Sequence, residues 1–350
     1  MSSSDTATRP ADAARTSPDA IAKAIAEVRR VIVGQQHMVD QLMASLLAKG
    51  HCLLEGVPGT AKTLAVRTFA TVVGGSFARL QFTPDLVPSD IVGTRIYRPS
   101  QEGFSTELGP VFVNFVLADE INRAPAKVQS AMLELMAEKQ VSIGGETHPL
   151  PSPFIVIATQ NPIESEGVYP LPEAQRDRFL MLVQVPLPDA AEEKTIIDRM
   201  AVDPPHARPV LNPEQVRDLQ ALTERVFVHD LVQDYVVRIV MATRKPTEYG
   251  LAELDGVIAN GSSPRASLGL IAASRAMALV RGRDYVLPQD VQDIAHDVLP
   301  HRLILTFDAV AEGIETPAVI NRLLQVVPPP RPVWRGRAQA QPAGQRPEYS

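Results

Sequence analysis

From residue 51 onward, short apolar runs alternate with longer stretches of mixed polar and apolar positions. The runs cover 51–55, 76–82, 113–118, 154–159 and 179–185, and none keeps a clean two-residue alternation. Strands covered on both faces read this way, because neither face is left for water. Their spacing predicts a parallel sheet with helices on either side. The pattern changes near Pro186-Leu187-Pro188, after which it is helical throughout. Asp189 begins one helix. Asn212-Pro213-Glu214-Gln215 supplies an N-cap, a proline at the first helical position and a Gln that closes a capping box. Ser263-Pro264 opens a third helix and Leu287-Pro288 a fourth. The expected fold is an α/β domain over 18–187 followed by a smaller all-α domain over 188–327, with no internal repeat.

Both ends lack an apolar period. Residues 1–17 are rich in Ser, Thr, Ala and Asp, and are expected to stay disordered. Residues 328–350 are rich in Pro and Arg and locally basic. They read as a solvated extension, with a Pro/Arg docking segment as the sharper alternative. Of the 350 residues, 45% are hydrophobic and 21% charged, the balance of a globular chain able to bury a core without metal or disulfide staples. The net charge of −6 argues against general affinity for nucleic acid, as does the absence of a basic–aromatic stripe. The single cysteine, Cys52, has no partner for an internal disulfide. No stretch reads as a signal peptide or is long enough to enter a bilayer, so the expected setting is the cytoplasm.

The strongest chemical motif is Gly56-Val57-Pro58-Gly59-Thr60-Ala61-Lys62-Thr63, set between a predicted strand and a predicted helix. That context is what a Walker A phosphate loop requires. Successive backbone N–H groups form an anion-binding concavity, and the helix N-terminus adds positive potential. Lys62 is placed to reach the β- and γ-phosphates of ATP, and the Thr63 hydroxyl to ligate Mg2+. The general pattern has glycine before the lysine, where this chain has Ala61. Alanine is accommodated there if it already takes right-handed helical dihedrals at the helix start.

A second apolar run ends in Ala118-Asp119-Glu120. Parallel sheets present functional groups at the carboxyl ends of their strands. Asp119 is therefore expected beside Thr63, holding magnesium through water, and Glu120 is expected to orient and polarise the attacking water. The run 154–159 leads into Gln160-Asn161-Pro162, where Asn161 can bond the γ-phosphate or the water; an Asx turn before proline reads equally well. The seven histidines show no metal-ligand spacing, and His51 and Cys52 read as core.

Together these segments resemble the AAA+ ATPases and, within them, the MoxR family, over about residues 20–327. The resemblance rests on Val33-Gly34-Gln35, the loop 56–63, Gly109-Pro110-Val111-Phe112 and Asp119-Glu120-Ile121-Asn122-Arg123-Ala124. It rests also on Thr159-Gln160-Asn161-Pro162 and Leu171-Pro172-Glu173-Ala174-Gln175-Arg176-Asp177-Arg178-Phe179. It implies an AAA+ P-loop domain with a helical lid. Asn161 is then the sensor-1 residue, and Arg178 an arginine finger reaching into a neighbouring subunit's site, preferred over its rival Arg176. Arg265 is the nucleotide-binding sensor-2 residue on the lid. The resemblance also makes 85–110 and 140–153 inserted hairpins, which contact a partner or serve as plain structural loops.

The implied activity is Mg-ATP hydrolysis in a homo-oligomeric ring, expected to be a hexamer, that remodels or matures a partner protein, often one with a von Willebrand factor A domain. A related motor of the magnesium-chelatase type, or an activator of Rubisco or nitric-oxide reductase, is the nearest alternative. A low-turnover nucleotide-gated switch is another, against which Glu120 and Arg178 argue.

Overall fold

The computed structural model describes residues 18–162, 168–333 and 346–349; residues 1–17 and most of the C-terminal extension lie outside the described residues. Two helices, α1 (Asp19–Val31) and α2 (Gln36–Leu47), precede β1 (Cys52–Glu55), which feeds the phosphate loop and α3 (Lys62–Val72). Next come β2 (Phe77–Gln81), α4 (Pro88–Val92), a hairpin of β3 (Gly93–Arg98) and β4 (Gly103–Leu108), then β5 (Phe115–Asp119) and α5 (Ala126–Glu138). A second hairpin, β6 (Gln140–Ile143) and β7 (Glu146–Pro149), leads to β8 (Ile155–Gln160), α6 (Glu173–Arg176) and β9 (Met181–Gln184).

The five predicted runs form one sheet in the order β2-β5-β8-β1-β9, with every neighbouring pair parallel. Alternate residues of each strand enter different cores. Cys52, Leu54, Phe115, Leu117, Ile155 and Ile157 pack with α1, α2 and α3, while Leu53, Val116, Ala118, Val156 and Ala158 pack with Met132, Leu133 and Met136 of α5. Burial on both faces explains why β1, β5, β8 and β9 are largely apolar, while the edge strand β2 is only partly buried and carries Arg79 and Gln81.

Beyond the sheet lie α7 (Ala190–Met200), α8 (Pro213–Glu224), α9 (Asp230–Arg244), β10 (Ile258–Asn260), α10 (Pro264–Val280), α11 (Pro288–Val298), β11 (Ile304–Leu305), α12 (Phe307–Ala311) and α13 (Thr316–Val326). The helix starts follow the capping chemistry. Asp189 accepts from the N–H groups of Ala191 and Glu192, Asn212 from that of Gln215 and Ser263 from that of Arg265. The two-stranded β10–β11 pair interrupts a region that the pattern makes wholly helical. The lid shares the first core, with α10 packed on α2 and α11 on β9. No helix among the described residues is long and apolar enough to cross a membrane.

Within the C-terminal extension, the described residues 332–333 and 348–349 pair with each other, strand β12 (Pro332–Val333) lying antiparallel to β13 (Glu348–Tyr349). A paired edge and a docked ring compensate for the missing apolar period, which is why composition alone misses them.

His51 sits in the interior, where Nδ1 accepts from the Val156 N–H at 2.9 Å and Nε2 bonds the Met136 carbonyl at 3.1 Å. Burial holds the ring neutral and pulls its pKa from 6.5 to about 4. The unfolded chain takes up this proton near pH 6.5 and the folded chain does not, so the contribution is complete above that pH and is lost as pH falls toward about 4. At about pH 5 the loss is about 2 kcal/mol. Thermal midpoints should therefore fall between about pH 7 and pH 5, with a shallower slope in His51→Gln; equal slopes in both proteins would contradict a neutral buried ring.

Candidate nucleotide site and arginine groove

Three adjacent strands of the sheet deliver the site. Strand β8 lies between β5 and β1, so their carboxyl ends bring Asp119, Asn161 and the phosphate loop side by side. Residues Pro58 to Leu64, Arg79, Asp119, Glu120, Thr159, Gln160 and Asn161 line one cavity of about 430 Å3. Five residues singled out from sequence, Lys62, Thr63, Asp119, Glu120 and Asn161, thus face a common space. Gly56 and Val57 lie behind it: their carbonyls accept from the Lys62 ammonium at 2.6 and 2.8 Å. Burial lowers the Lys62 pKa, and the carboxylates of Asp119 and Glu120 oppose that fall.

Ala61 corrects the sequence reading. It does not take right-handed helical dihedrals; it caps α3 with φ 59° and ψ 19°, in the left-handed region, and helix begins at Lys62. An alanine there costs about 1–2 kcal/mol relative to right-handed backbone. Gly59 is also left-handed, with φ 87°. Left-handed residues alternating with right-handed ones are the backbone element from which anion-binding nests are built.

The acidic pair is held by more residues than the sequence singled out. Thr63 Oγ1 donates to Asp119 Oδ2 at 3.2 Å, and the Thr159 hydroxyl donates to Asp119 Oδ1 at 2.6 Å. Thr159 also accepts from the Glu120 N–H at 2.9 Å, at a residue whose own backbone is left-handed with φ 57°. Arg79 pairs with Asp119 Oδ2 at 2.7 Å. Glu120 Oε2 accepts from the Gln81 amide at 2.7 Å and lies 3.2 Å from Arg123 Nε. The polar positions of β2 in an otherwise apolar run were the available signal for Arg79 and Gln81.

The donor set fits magnesium carried with a nucleotide. One hydroxyl and one carboxylate stand 3.2 Å apart in a cavity with room for phosphate oxygens and water, and no cluster of three or more His, Cys, Asp or Glu among the described residues would hold a bare ion. The residues that would hold it are Thr63 and Asp119.

Arg178 and Arg265 lie elsewhere. They line a second cavity of about 300 Å3 with Lys49, Lys139, Asp177 and Arg302, and no residue is common to both cavities. Both arginines are exposed, whereas Arg176 is half-buried. The segment bearing Arg178 is fixed by the lid. Asp177 accepts from Arg302 Nε at 2.8 Å and from the Ser263 hydroxyl at 3.1 Å, while Phe179 O accepts from Arg302 Nη2 at 2.6 Å. Arg302 is itself buried. Arg265 Nε stands 4.0 Å from Asp177 Oδ2. The lid therefore presents Arg265 beside Arg178 and away from its own chain's phosphate loop.

Both inserted segments are hairpins. In the first, Tyr97 and Phe104 meet edge to face at 5.3 Å and remain 51% and 63% exposed. The second turns on Gly144-Gly145, with φ 59° and 88°, the conformation of a tight hairpin turn. Arg95 Nη1 joins the two by donating to the Gly144 carbonyl at 3.3 Å.

Comparison with known proteins agrees with this geometry. Residues 51–181 match the model of the ATPase family associated with various cellular activities (AAA), and residues 255–323 match the AAA lid domain. The chain is 62% identical to Chaperone MoxR1 of Mycobacterium tuberculosis over 309 residues, covering 88% of this chain and 82% of that protein. It is 33% identical to Protein MoxR of Paracoccus denitrificans, covering 87% and 95% of the two chains. The crystal structure of a candidate ATPase from Cytophaga hutchinsonii superposes with a TM-score of 0.84 at 45% identity, covering 89% of this chain and 95% of that one. On sequence, fold and the arrangement of its phosphate loop and acidic pair, the chain belongs to the MoxR family of AAA+ ATPases.

Proposed function

We propose that the chain hydrolyses Mg-ATP at sites shared between neighbouring subunits of a ring, expected to be a hexamer, and uses the cycle to remodel or mature a partner protein in the cytoplasm. One observation carries this reading: the exposed Arg178 and Arg265 share a groove that contains none of the phosphate-loop residues. Within one subunit they have no nucleotide to act on. In a head-to-tail ring each groove faces the next subunit's cavity, and closure satisfies every site at once.

The division of labour follows from position. The loop N–H groups and Lys62 bind and orient the phosphates. Thr63 and Asp119 hold magnesium, which when bound neutralises phosphate charge. Glu120 accepts a proton from the attacking water, and Asn161 positions that water or the γ-phosphate. Arg178 from the neighbour meets the charge that develops as the terminal phosphate leaves. Arg265 beside it links nucleotide state to the lid that carries it.

The exposed Tyr97–Phe104 pair is the surface best suited to a partner protein, for which a von Willebrand factor A domain is the expected class. The similarity to Chaperone MoxR1 of Mycobacterium tuberculosis, a protein named as a chaperone, supports a remodelling role.

Two experiments test this reading. Lys62→Ala is expected to weaken ATP binding by about a hundredfold, because a charge-assisted contact is lost in a partly desolvated site; unchanged affinity by titration would remove the phosphate-loop assignment. Steady-state phosphate release with Mg-ATP should rise in specific activity with protein concentration. A specific activity independent of concentration down to the monomer would defeat the shared site.

A further inference from the structure

The described end of the chain returns to the lid and docks there by several independent contacts. The Tyr349 hydroxyl donates to the Val286 carbonyl at 3.1 Å, and its ring centroid lies 4.8 Å from the imidazole of His229. Arg346 pairs with Asp284 at 2.8 Å, and its guanidinium stands 4.9 Å from the ring centroid of Phe227. Pro347 between them is buried. The two-residue ladder of β12 and β13 is too short to persist alone, so the side-chain contacts hold it.

The receiving surface is built by the lid itself. Phe227 and Tyr285 form a parallel bridge, with the Phe227 N–H donating to Asp284 O and the Val286 N–H to Phe227 O, both at 2.9 Å. His229 caps α9 and accepts from the Leu231 N–H at 3.2 Å. The lid thus offers an aromatic face, a carboxylate, an imidazole and a carbonyl in one fixed row. That row reads an arginine followed, three residues later, by a tyrosine. None of Phe227, His229, Asp284 and Val286 lines the phosphate-loop cavity or the arginine groove.

We propose that this face of the lid is a peptide-docking site for segments of the Arg-x-x-Tyr kind, and that residues 346–349 of the chain are its resident occupant. Because that occupant belongs to the same chain as the site, it competes as an intramolecular ligand, at an effective concentration of about millimolar order. The chain therefore masks the site with its own end, and a free segment enters only when the end is disabled or outcompeted. This does not depend on the shared ATP site.

The test is fluorescence anisotropy with a labelled peptide of residues 344–350, titrated with the full-length chain and with full-length Arg346→Ala/Tyr349→Ala. The double variant should bind the peptide saturably, and the unchanged chain at least about tenfold more weakly, because its own end competes. Adding Asp284→Ala and His229→Ala to the double variant should weaken binding by about tenfold or more; circular dichroism confirms that the fold is kept. Absence of saturable binding to the double variant, equal binding to it and the unchanged chain, or indifference to Asp284 and His229 would each overturn the proposal.

Discussion

Arg178→Ala is expected to lower ATP turnover by about a thousandfold or more while leaving nucleotide affinity within a few-fold. The side chain lines a groove apart from its own phosphate loop, so the variant's cavity keeps every group that binds ATP. What it loses is a fixed positive charge aimed at the neighbour's leaving phosphate, in a closed interface where water screens little. Its backbone is held from both sides, by Asp177 on Arg302 and Ser263 and by Phe179 on Arg302, so the truncation should not disturb the fold. Turnover and affinity measured on the same preparation separate the two effects. A variant that turns over ATP within about threefold of the parent would show that Arg178 is a surface arginine.

Glu120→Gln is expected to reduce turnover by about a hundredfold to ten-thousandfold, again with ATP binding preserved. The amide keeps the size of the carboxylate and can still bond Gln81, while its basicity is gone. The backbone at Glu120 is left-handed and its N–H is tied to Thr159, so the side chain's direction is set by residues the substitution does not touch. Asp119 should remain competent to hold magnesium, since its partners Thr63, Thr159 and Arg79 are unchanged. Single-turnover phosphate release checks this. Loss of ATP binding in place of turnover would assign Glu120 a structural role.

The sheet and the phosphate loop were legible because both obey local rules. Parallel strands buried on two faces must be apolar along their length, and the loop's glycines and Lys62 form one contiguous segment. The helix caps at Asp189, Asn212 and Ser263 were equally local. What escaped depends on which strands become neighbours. Thr159 reaches Asp119 and Glu120 only because β8 pairs with β5, and Arg79 reaches Asp119 only because β2 pairs with β5. The left-handed backbone of Ala61 also escaped, because alanine carries no sign of the turn its neighbours impose. Arg265 was named only through the family resemblance, and its position beside Arg178 follows from packing of the lid on Asp177. The docked end at Tyr349 was hidden for the same reason, its contacts being drawn from distant lid residues.

The most direct test of a site shared between subunits is to mix the two inactive variants. A subunit carrying Arg178→Ala keeps a complete cavity and lacks only the arginine it owes its neighbour; one carrying Glu120→Gln has a dead cavity and still donates the arginine. Combined at equal concentrations before assembly, the two should regain turnover at about a quarter of sites, those where an Arg178→Ala cavity meets a Glu120→Gln donor. Turnover well above the sum of the separate variants is the result the account predicts. A mixture no more active than its two components would contradict it.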